Sequence, residues 1–355
     1  MKISIIGSKG IPASYGGFET LAEYLSIYLV NSGHKVTVFC SGGFKKEKFK
    51  GVNLVYLPLK ANKFQGIIYD LMSILLSISS QDKIIMLGSP AGPLLGLIPG
   101  LRKKLIFNFG GLDFKRNKWN RYIQNFISYG KKNALKYSNI VVADNQGIFD
   151  YLVNNYTLNI KKIFLIEYGG NHAEFKCKNN VQPVYNLPEN YSLTIARIQK
   201  DNNIEVIIKS AIKYKFNAII IGNWNFETFG RTLKSKYRSH KNLFLLDPIY
   251  DIETLFHCRK NCSYYIHGHS AGGTNPTLVE AMWLGLNIFA FDNVFNRYTT
   301  EENCNYWSNL DDLGVLIQDA GNNKISNNSL KMKNIAHNRY NWDLICEKYL
   351  KVINL

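Results

Sequence analysis

Acids are scarce in this chain. Its 355 residues carry 26 Asp and Glu against 43 Lys and Arg, a formal net charge of +17. The balance implies an anionic partner: nucleic acid, an anionic lipid surface or a phosphorylated substrate. Cysteine is sparse too. The six residues, at 40, 177, 258, 262, 304 and 346, build no dense framework. A disulfide-stapled secreted scaffold is therefore excluded, and free thiols in a reducing, cytoplasmic compartment are expected. His257, Cys258 and Cys262 lie near His267 and His269, but their spacing matches no zinc pattern, and no metal is expected. Long uninterrupted apolar runs are missing. Residues 84–101 are broken by Gly88, Pro90, Gly92, Pro93, Gly96, Pro99 and Gly100. Residues 64–80 carry Asp70 in their middle and read as a buried helix rather than a membrane span. The start, MKISIIG, reads as a strand entering a loop, with no apolar signal region or cleavage site, so no signal peptide is expected. Neither G-x-G-x-x-G nor Asp-x-Asp occurs. A dinucleotide fingerprint and the metal-dependent transferase motif are both absent.

What is present is alternation. Short apolar strands and amphipathic helices follow one another from Lys2 to about residue 166, and again from about 191 to 291. Such alternation predicts an α/β fold with doubly wound, mostly parallel sheets. At this length two domains are expected. The rhythm lapses around 171–190, near Pro183 and Pro188, which places the boundary there. The expected division is 1–172, then 173–340, then a helix over 341–355 packing back on the first domain. Ligands of such sheets sit at the carboxyl ends of strands.

The richest stretch is Ile266 to Gly285, IHGHSAGGTNPTLVEAMWLG. Two histidines, His267 and His269, precede a glycine turn, Gly272-Gly273. Thr274 or Asn275 can cap a helix that has Pro276 in its first turn. A glycine turn feeding a helix N-terminus is an anion site, because amide groups and the helix dipole both favour a phosphate. Glu280 falls near the second turn, where a carboxylate can accept both hydroxyls of a ribose. Pyrophosphate plus ribose is the contact set of a nucleoside diphosphate. A second candidate is the loop from Gly7 to Gly17, whose Gly16-Gly17 pair can offer amides to a phosphate at another helix start.

Together, IGSKGIPASYGGFETLAEYL (residues 6–25) and HGHSAGGTNPTLVEAMWLG (267–285) resemble the retaining glycosyltransferases of family 4. The likeness is closest to a bacterial subgroup with rhamnosyltransferases of capsule and cell-wall polysaccharide assembly. It continues through NFGGLDFKRNKW (108–119), VVADNQGIFDYL (141–152), IEYGGN (166–171), ARIQKDNNIE (196–205) and YNWDLICEKYL (340–350). The resemblance implies the GT-B fold, two Rossmann-like domains facing across a cleft. It implies sugar transfer, rhamnose favoured, from a dTDP- or UDP-linked donor to a lipid-diphosphate-linked saccharide, with no cofactor and no metal. It implies Glu280 as the ribose-holding glutamate. The partner glutamate of the family would fall at Gly272 and is replaced. Arg197 matches the arginine that binds the donor diphosphate; the usual lysine would fall at Asn202 or Asn203, with Lys200 as its candidate substitute. Gly16 and Gly17 match the loop that touches diphosphate and acceptor. The expected donor set is thus Gly16, Gly17, Arg197, Lys200, Gly272, Gly273, Thr274, Asn275 and Glu280. Asp113, Arg197 and His269 are the expected catalytic residues.

Between Arg102 and Lys136 stand ten Lys and Arg against one acid, Asp113. Tyr122, Phe126 and Tyr129 share a helical face among them. Lys115, Arg116, Lys118, Trp119 and Arg121 form the expected acceptor and membrane face, at the inner surface of a bacterial plasma membrane, with aromatics at the interface. The same interleaving suits RNA. A nucleic-acid-binding protein and a nucleotide-sugar epimerase therefore stand as the competing readings. Arg197 and Glu280 separate the transferase from the nucleic-acid reading, since neither has a task in nonspecific phosphate binding; an epimerase would interconvert sugars without any acceptor.

Overall fold

The computed structural model describes residues 1–13, 16–112, 114, 120–157, 159–175 and 187–355. In chain order the first part holds β1 (Lys2–Ile6), α1 (Gly17–Asn31), β2 (Lys35–Ser41), β3 (Lys48–Phe49), β4 (Val52–Leu57), α2 (Lys63–Ile78), β5 (Lys83–Leu87), α3 (Leu101–Lys104), β6 (Leu105–Asn108), α4 (Arg121–Tyr137), β7 (Ile140–Ala143), α5 (Gln146–Asn155) and β8 (Ile163–Leu165). The second part holds β9 (Ser192–Ile195), α6 (Ile204–Tyr214), β10 (Ala218–Ile221), α7 (Thr228–Tyr237), β11 (Leu243–Leu246), α8 (Ile252–Lys260), β12 (Tyr264–His267), α9 (Pro276–Trp283), β13 (Ile288–Phe291), α10 (Val294–Thr299), β14 (Asn305–Trp307), α11 (Leu310–Gly321), α12 (Ser329–Arg339) and α13 (Trp342–Ile353). The chain divides into two units. The first is Met1–Tyr168 with Trp342–Leu355, and the second is Gly169–Asn341.

The first sheet runs β3-β4-β2-β1-β5-β6-β7-β8, parallel except for β3. The second runs β11-β10-β9-β12-β13-β14, parallel throughout. Setting aside the β3 edge, each begins third-second-first-fourth-fifth-sixth. That order reverses direction between β1 and β5, and again between β9 and β12. The loops after those four strands flank the crevice where doubly wound folds take their ligands. Both sheets follow from strands apolar at consecutive positions, as burial on both faces demands. Ile3, Ile5 and Ile6 are fully buried in β1, and Ile219 and Ile220 in β10.

Helix α13 belongs to the first unit. Trp342 stacks on Tyr24 of α1 with ring centres 4.8 Å apart, and Asn108 Nδ2 at the end of β6 donates to Tyr349 Oη at 2.7 Å. Periodicity assigns nothing between 292 and 341, where the structure holds α10, β14, α11 and α12. The reason is visible in α12, which buries only Met332, Ile335 and Ala336.

Helix α2 departs from its expected burial. Its inward face is Tyr69, Asp70, Ser73, Ile74 and Ser77, all buried, while Phe64, Ile68, Met72, Leu75 and Leu76 are exposed. The inward polar groups are satisfied locally. Ser73 and Ser77 hydroxyls donate to carbonyls one turn back, and Tyr69 Oη donates to the Ser8 carbonyl at 3.0 Å. Asp70 accepts from the Ala91 amide, while its Oδ2 has no hydrogen-bond partner among the described residues. Burial pushes the Asp70 carboxyl up to about 8. A folded pKa above the unfolded one places this group's stabilisation at low pH, and it is lost as pH rises toward 8. The stability difference between wild type and Asp70→Asn should therefore fall between pH 5 and 8, by up to about 1.4 kcal/mol per unit. Urea unfolding at three pH values measures it; a pH-independent difference would mean the carboxyl is ionised throughout. No helix among the described residues is long and apolar enough to cross a membrane.

Candidate functional site

In the second unit, two loops meet where the strand order reverses. The loop after β9 carries Arg197 and Lys200, both exposed, and ends in a tight turn over Lys200–Asn202. The loop after β12 carries His269 to Asn275. Side chains and backbone lace them together. Asn202 Nδ2 donates to the Arg197 carbonyl at 2.7 Å, and Asn202 Oδ1 faces His269 Nδ1 at 2.7 Å. Asn203 Nδ2 donates to the Gly268 carbonyl at 2.9 Å, and the Ser270 amide and hydroxyl both donate to the Asp201 carbonyl. The loops approach so closely that a Cβ at position 268 would lie 2.2 Å from the Asn202 carbonyl oxygen. The glycine between the two histidines is thus required by packing.

His269 is held on every side. Its Nε2 faces the Ala271 carbonyl at 3.0 Å, and its own carbonyl accepts from Asn293 and Asn296 side chains. The Asn202 amide is oriented by its bond to Arg197, so both ring nitrogens of His269 face oxygen acceptors. The two contacts fix the orientation of the ring. His267 differs: it is buried, and burial followed by the neighbouring His269 charge pushes it down to about 3. It is a neutral core histidine at the end of β12.

Gly272 and Gly273 take left-handed φ of 63° and 83°, which a residue with a side chain adopts only under strain. They turn the chain into α9. Asn275 caps that helix, its Oδ1 accepting from the Thr277 amide and hydroxyl at 3.1 and 2.9 Å, and Thr274 is buried beside it.

Glu280 lies on the second turn of α9 and is 13% exposed. One carboxylate oxygen pairs with the Arg259 guanidinium of α8, itself 5% exposed, and the other lies 3.1 Å from His172 Nε2. Burial acts to raise the Glu280 pKa, but Arg259 and His172 outweigh it and hold the carboxyl below its ordinary range. The charge of Glu280 is therefore matched within the second unit, and any ribose bound there shares this carboxylate with His172. Neither Arg259 nor His172 stands out in the sequence. Arg259 is one of three basic residues in the last turn of α8, and His172 lies in the stretch where alternation lapses.

In the first unit, Gly16 caps α1 with φ 119°, and its carbonyl accepts from the Thr20 amide and hydroxyl. Glu19 and Glu23 hold the preceding loop from the same helix, accepting the Lys9 and Ala13 amides at 2.9 and 2.7 Å. Gly17 opens the helix. Asp113, Lys115, Arg116, Lys118 and Trp119 lie outside the described residues; Arg121 is exposed at the start of α4. Two members of the basic stretch turn inward. Lys131 is buried, and its Nζ donates to the Phe109 and Gly111 carbonyls, each at 2.6 Å. Lys104 Nζ donates to the Ile78 and Gln81 carbonyls, closing the end of α2. Lysine character alone does not separate a surface charge from one that staples a loop.

A family described only as a domain of unknown function (DUF1972) matches residues 1–171. No curated protein matches the chain. Among solved structures, sucrose-phosphate synthase of Thermosynechococcus elongatus is 14% identical, with 99% of this chain and 98% of that chain covered at a TM-score of 0.81. Anabaena HepE, solved with UDP and glucose, is 13% identical, with 100% and 99% covered at 0.73. WaaG, a glycosyltransferase of lipopolysaccharide biosynthesis, is 11% identical, with 99% of each chain covered at 0.73. The fold is GT-B. Within it, the GT-B chain described here places Arg197, Lys200 and His269 on two laced loops of one domain, and Glu280 on the helix that the second loop feeds.

Proposed function

We propose that the protein is a glycosyltransferase whose second unit binds a nucleoside-diphosphate sugar at the β9 and β12 loops. The single observation that carries this is the lacing of Arg197's loop to His269 through Asn202, at the strand-order reversal. Two cationic side chains, Arg197 and Lys200, and the His269 ring are carried there with a glycine turn into a helix N-terminus. A departing diphosphate gains negative charge, and fixed cations and amides stabilise that charge in the transition state. The bond from the anomeric carbon to phosphate oxygen breaks as the bond to the acceptor oxygen forms. The leaving phosphate takes the acceptor's hydroxyl proton, so retention needs neither a protein nucleophile nor a metal. Glu280 holds the ribose, and His172 yields one carboxylate oxygen to it. The donor is a dTDP- or UDP-linked sugar, with rhamnose favoured by the resemblance. The acceptor is a saccharide on a lipid diphosphate at the inner face of the bacterial membrane, in cell-surface polysaccharide assembly.

The test is thermal denaturation with dTDP, UDP and single-stranded oligonucleotides. A nucleoside diphosphate at 100 times its dissociation constant should add about 2.7 kcal/mol to stability. Stabilisation by the oligonucleotide alone would remove the transferase reading. A donor screen with a lipid-diphosphate sugar acceptor then identifies the sugar.

A further inference from the structure

The exposed stripe of α2 has no task in the donor site. Its neighbours on the sheet say what it faces. The connections from β4 to β5, β5 to β6, β6 to β7 and β7 to β8 all move the same way across the first sheet. Right-handed crossovers place them on one face of it. That face therefore carries α2, the turn at Gly92–Leu97, α3, α4 and, at its far edge, α5. The order is confirmed by packing: a Cβ at Gly92 would lie 2.1 Å from the Gly130 carbonyl oxygen of α4, and Lys104 of α3 bonds the end of α2. Phe64, Leu75 and Leu76 on α2 are 74%, 51% and 53% exposed. Leu97 is exposed between the helices, and Tyr122, Phe126 and Tyr129 are exposed along α4.

Every exposed charge described on these elements is basic: Arg102, Lys103, Arg121, Lys132 and Lys136. Of the acids, Asp70 of α2 is buried, and Asp150 of α5 is half-buried and accepts from Gln146 Nε2. Two copies of the chain meeting through this face would oppose like charges. Nucleic acid would leave the aliphatic stripe of Ile68, Met72, Leu75 and Leu76 without a partner, since stacking needs rings or guanidinium planes. An anionic bilayer matches both features, basic groups meeting headgroups while apolar side chains enter the acyl boundary. We infer that this face of the first unit seats on an anionic lipid bilayer, with α2 as the inserted element and α4 as its aromatic flank.

The polar side of the same helix bears on function. Tyr69 bonds the loop after β1 and Asp70 the loop after β5, the two loops flanking the strand-order reversal of the first unit. One helix thus seats on lipid outside and holds the loops that would receive a lipid-linked acceptor inside. This rests on the membrane-facing part of the proposed function, not on its donor chemistry.

The experiment is co-sedimentation of the full chain with vesicles of phosphatidylcholine alone or with phosphatidylglycerol. Wild type is compared with a triple variant, Phe64→Gln, Leu75→Gln, Leu76→Gln, and with Lys132→Gln, Lys136→Gln. All five positions are exposed, and thermal unfolding checks that each variant is folded. Binding should require phosphatidylglycerol, and the triple variant should bind at least about tenfold more weakly. Raised salt should weaken the charge variant's binding less than wild type's. Absence of wild-type binding, or equal binding by the triple variant, overturns the inference. So does a dimer that the triple variant converts to monomer, or an oligonucleotide whose binding depends on the same apolar residues. Stabilisation by nucleoside diphosphates, measured in the same samples, reports separately on the donor site.

Discussion

Arg259→Met should destabilise the second unit by ~3–5 kcal/mol. The arginine side chain is 5% exposed and its partner Glu280 is 13% exposed, so removing the cation strands a carboxylate away from water. Glu280→Leu should cost a similar amount by stranding the guanidinium. The double variant should recover most of the loss, because packed apolar groups of like volume replace a buried pair at little net cost. Urea unfolding of the four proteins measures the cycle through the midpoint. The pH dependence has a defined sign. The Glu280 pKa is depressed in the folded state, so the contribution of its ionisation is present above the ordinary glutamate range. It is lost as pH falls through the folded value. The cycle also isolates function: a double variant that regains stability but no longer responds to nucleoside diphosphates assigns the carboxylate to ligand binding as well as to the fold. Additive single effects would show that the two side chains are not a pair.

Arg197→Ala should lower kcat by about 10²–10³ while leaving the unfolding midpoint within experimental error. The side chain is exposed, and the loop's attachment to Asn202 is made through the backbone carbonyl, which alanine keeps. Loss should fall on turnover more than on donor affinity, since the diphosphate acquires its last charge as the glycosidic bond breaks. Steady-state kinetics against donor concentration separate the two. Equal losses in kcat and in affinity would make Arg197 a ground-state anchor instead. Asn202→Ala tests the lacing from the other side. It frees the His269 ring and the Arg197 carbonyl at once, and should move turnover in the same direction.

Much of this was legible in the residues. Gly272, Gly273, Asn275 and Pro276 announce a turn and a capped helix, and the structure has both. The glycine at 268, unremarkable in a pattern, is explained only by the carbonyl of Asn202 lying against it. Asn202 itself was legible only as a position where a lysine is missing; its bonds to Arg197 and His269 come from bringing residues 202 and 269 together. Lys131 shows the same limit. It reads as one more charge in a basic stretch, yet it is buried beneath the turn after β6, bonding two carbonyls there.

Helix α2 gives the sharpest contrast. Its apolar content is plain in the sequence, and burial is the natural expectation for such a run. The fold turns Asp70, Ser73 and Ser77 inward instead, because Tyr69 and Asp70 have loop groups to bond and the serines bond their own helix. By itself the sequence determined the alternation of strands and helices, the two domains, the basic surplus and the glycine turn into α9, since these depend on local periodicity and composition. Only the tertiary structure decided which charges are paired and which face of α2 is outside. Those outcomes depend on groups far apart in the chain, such as Glu280 with Arg259 and His172, and Tyr69 with Ser8, whose meeting no local pattern encodes.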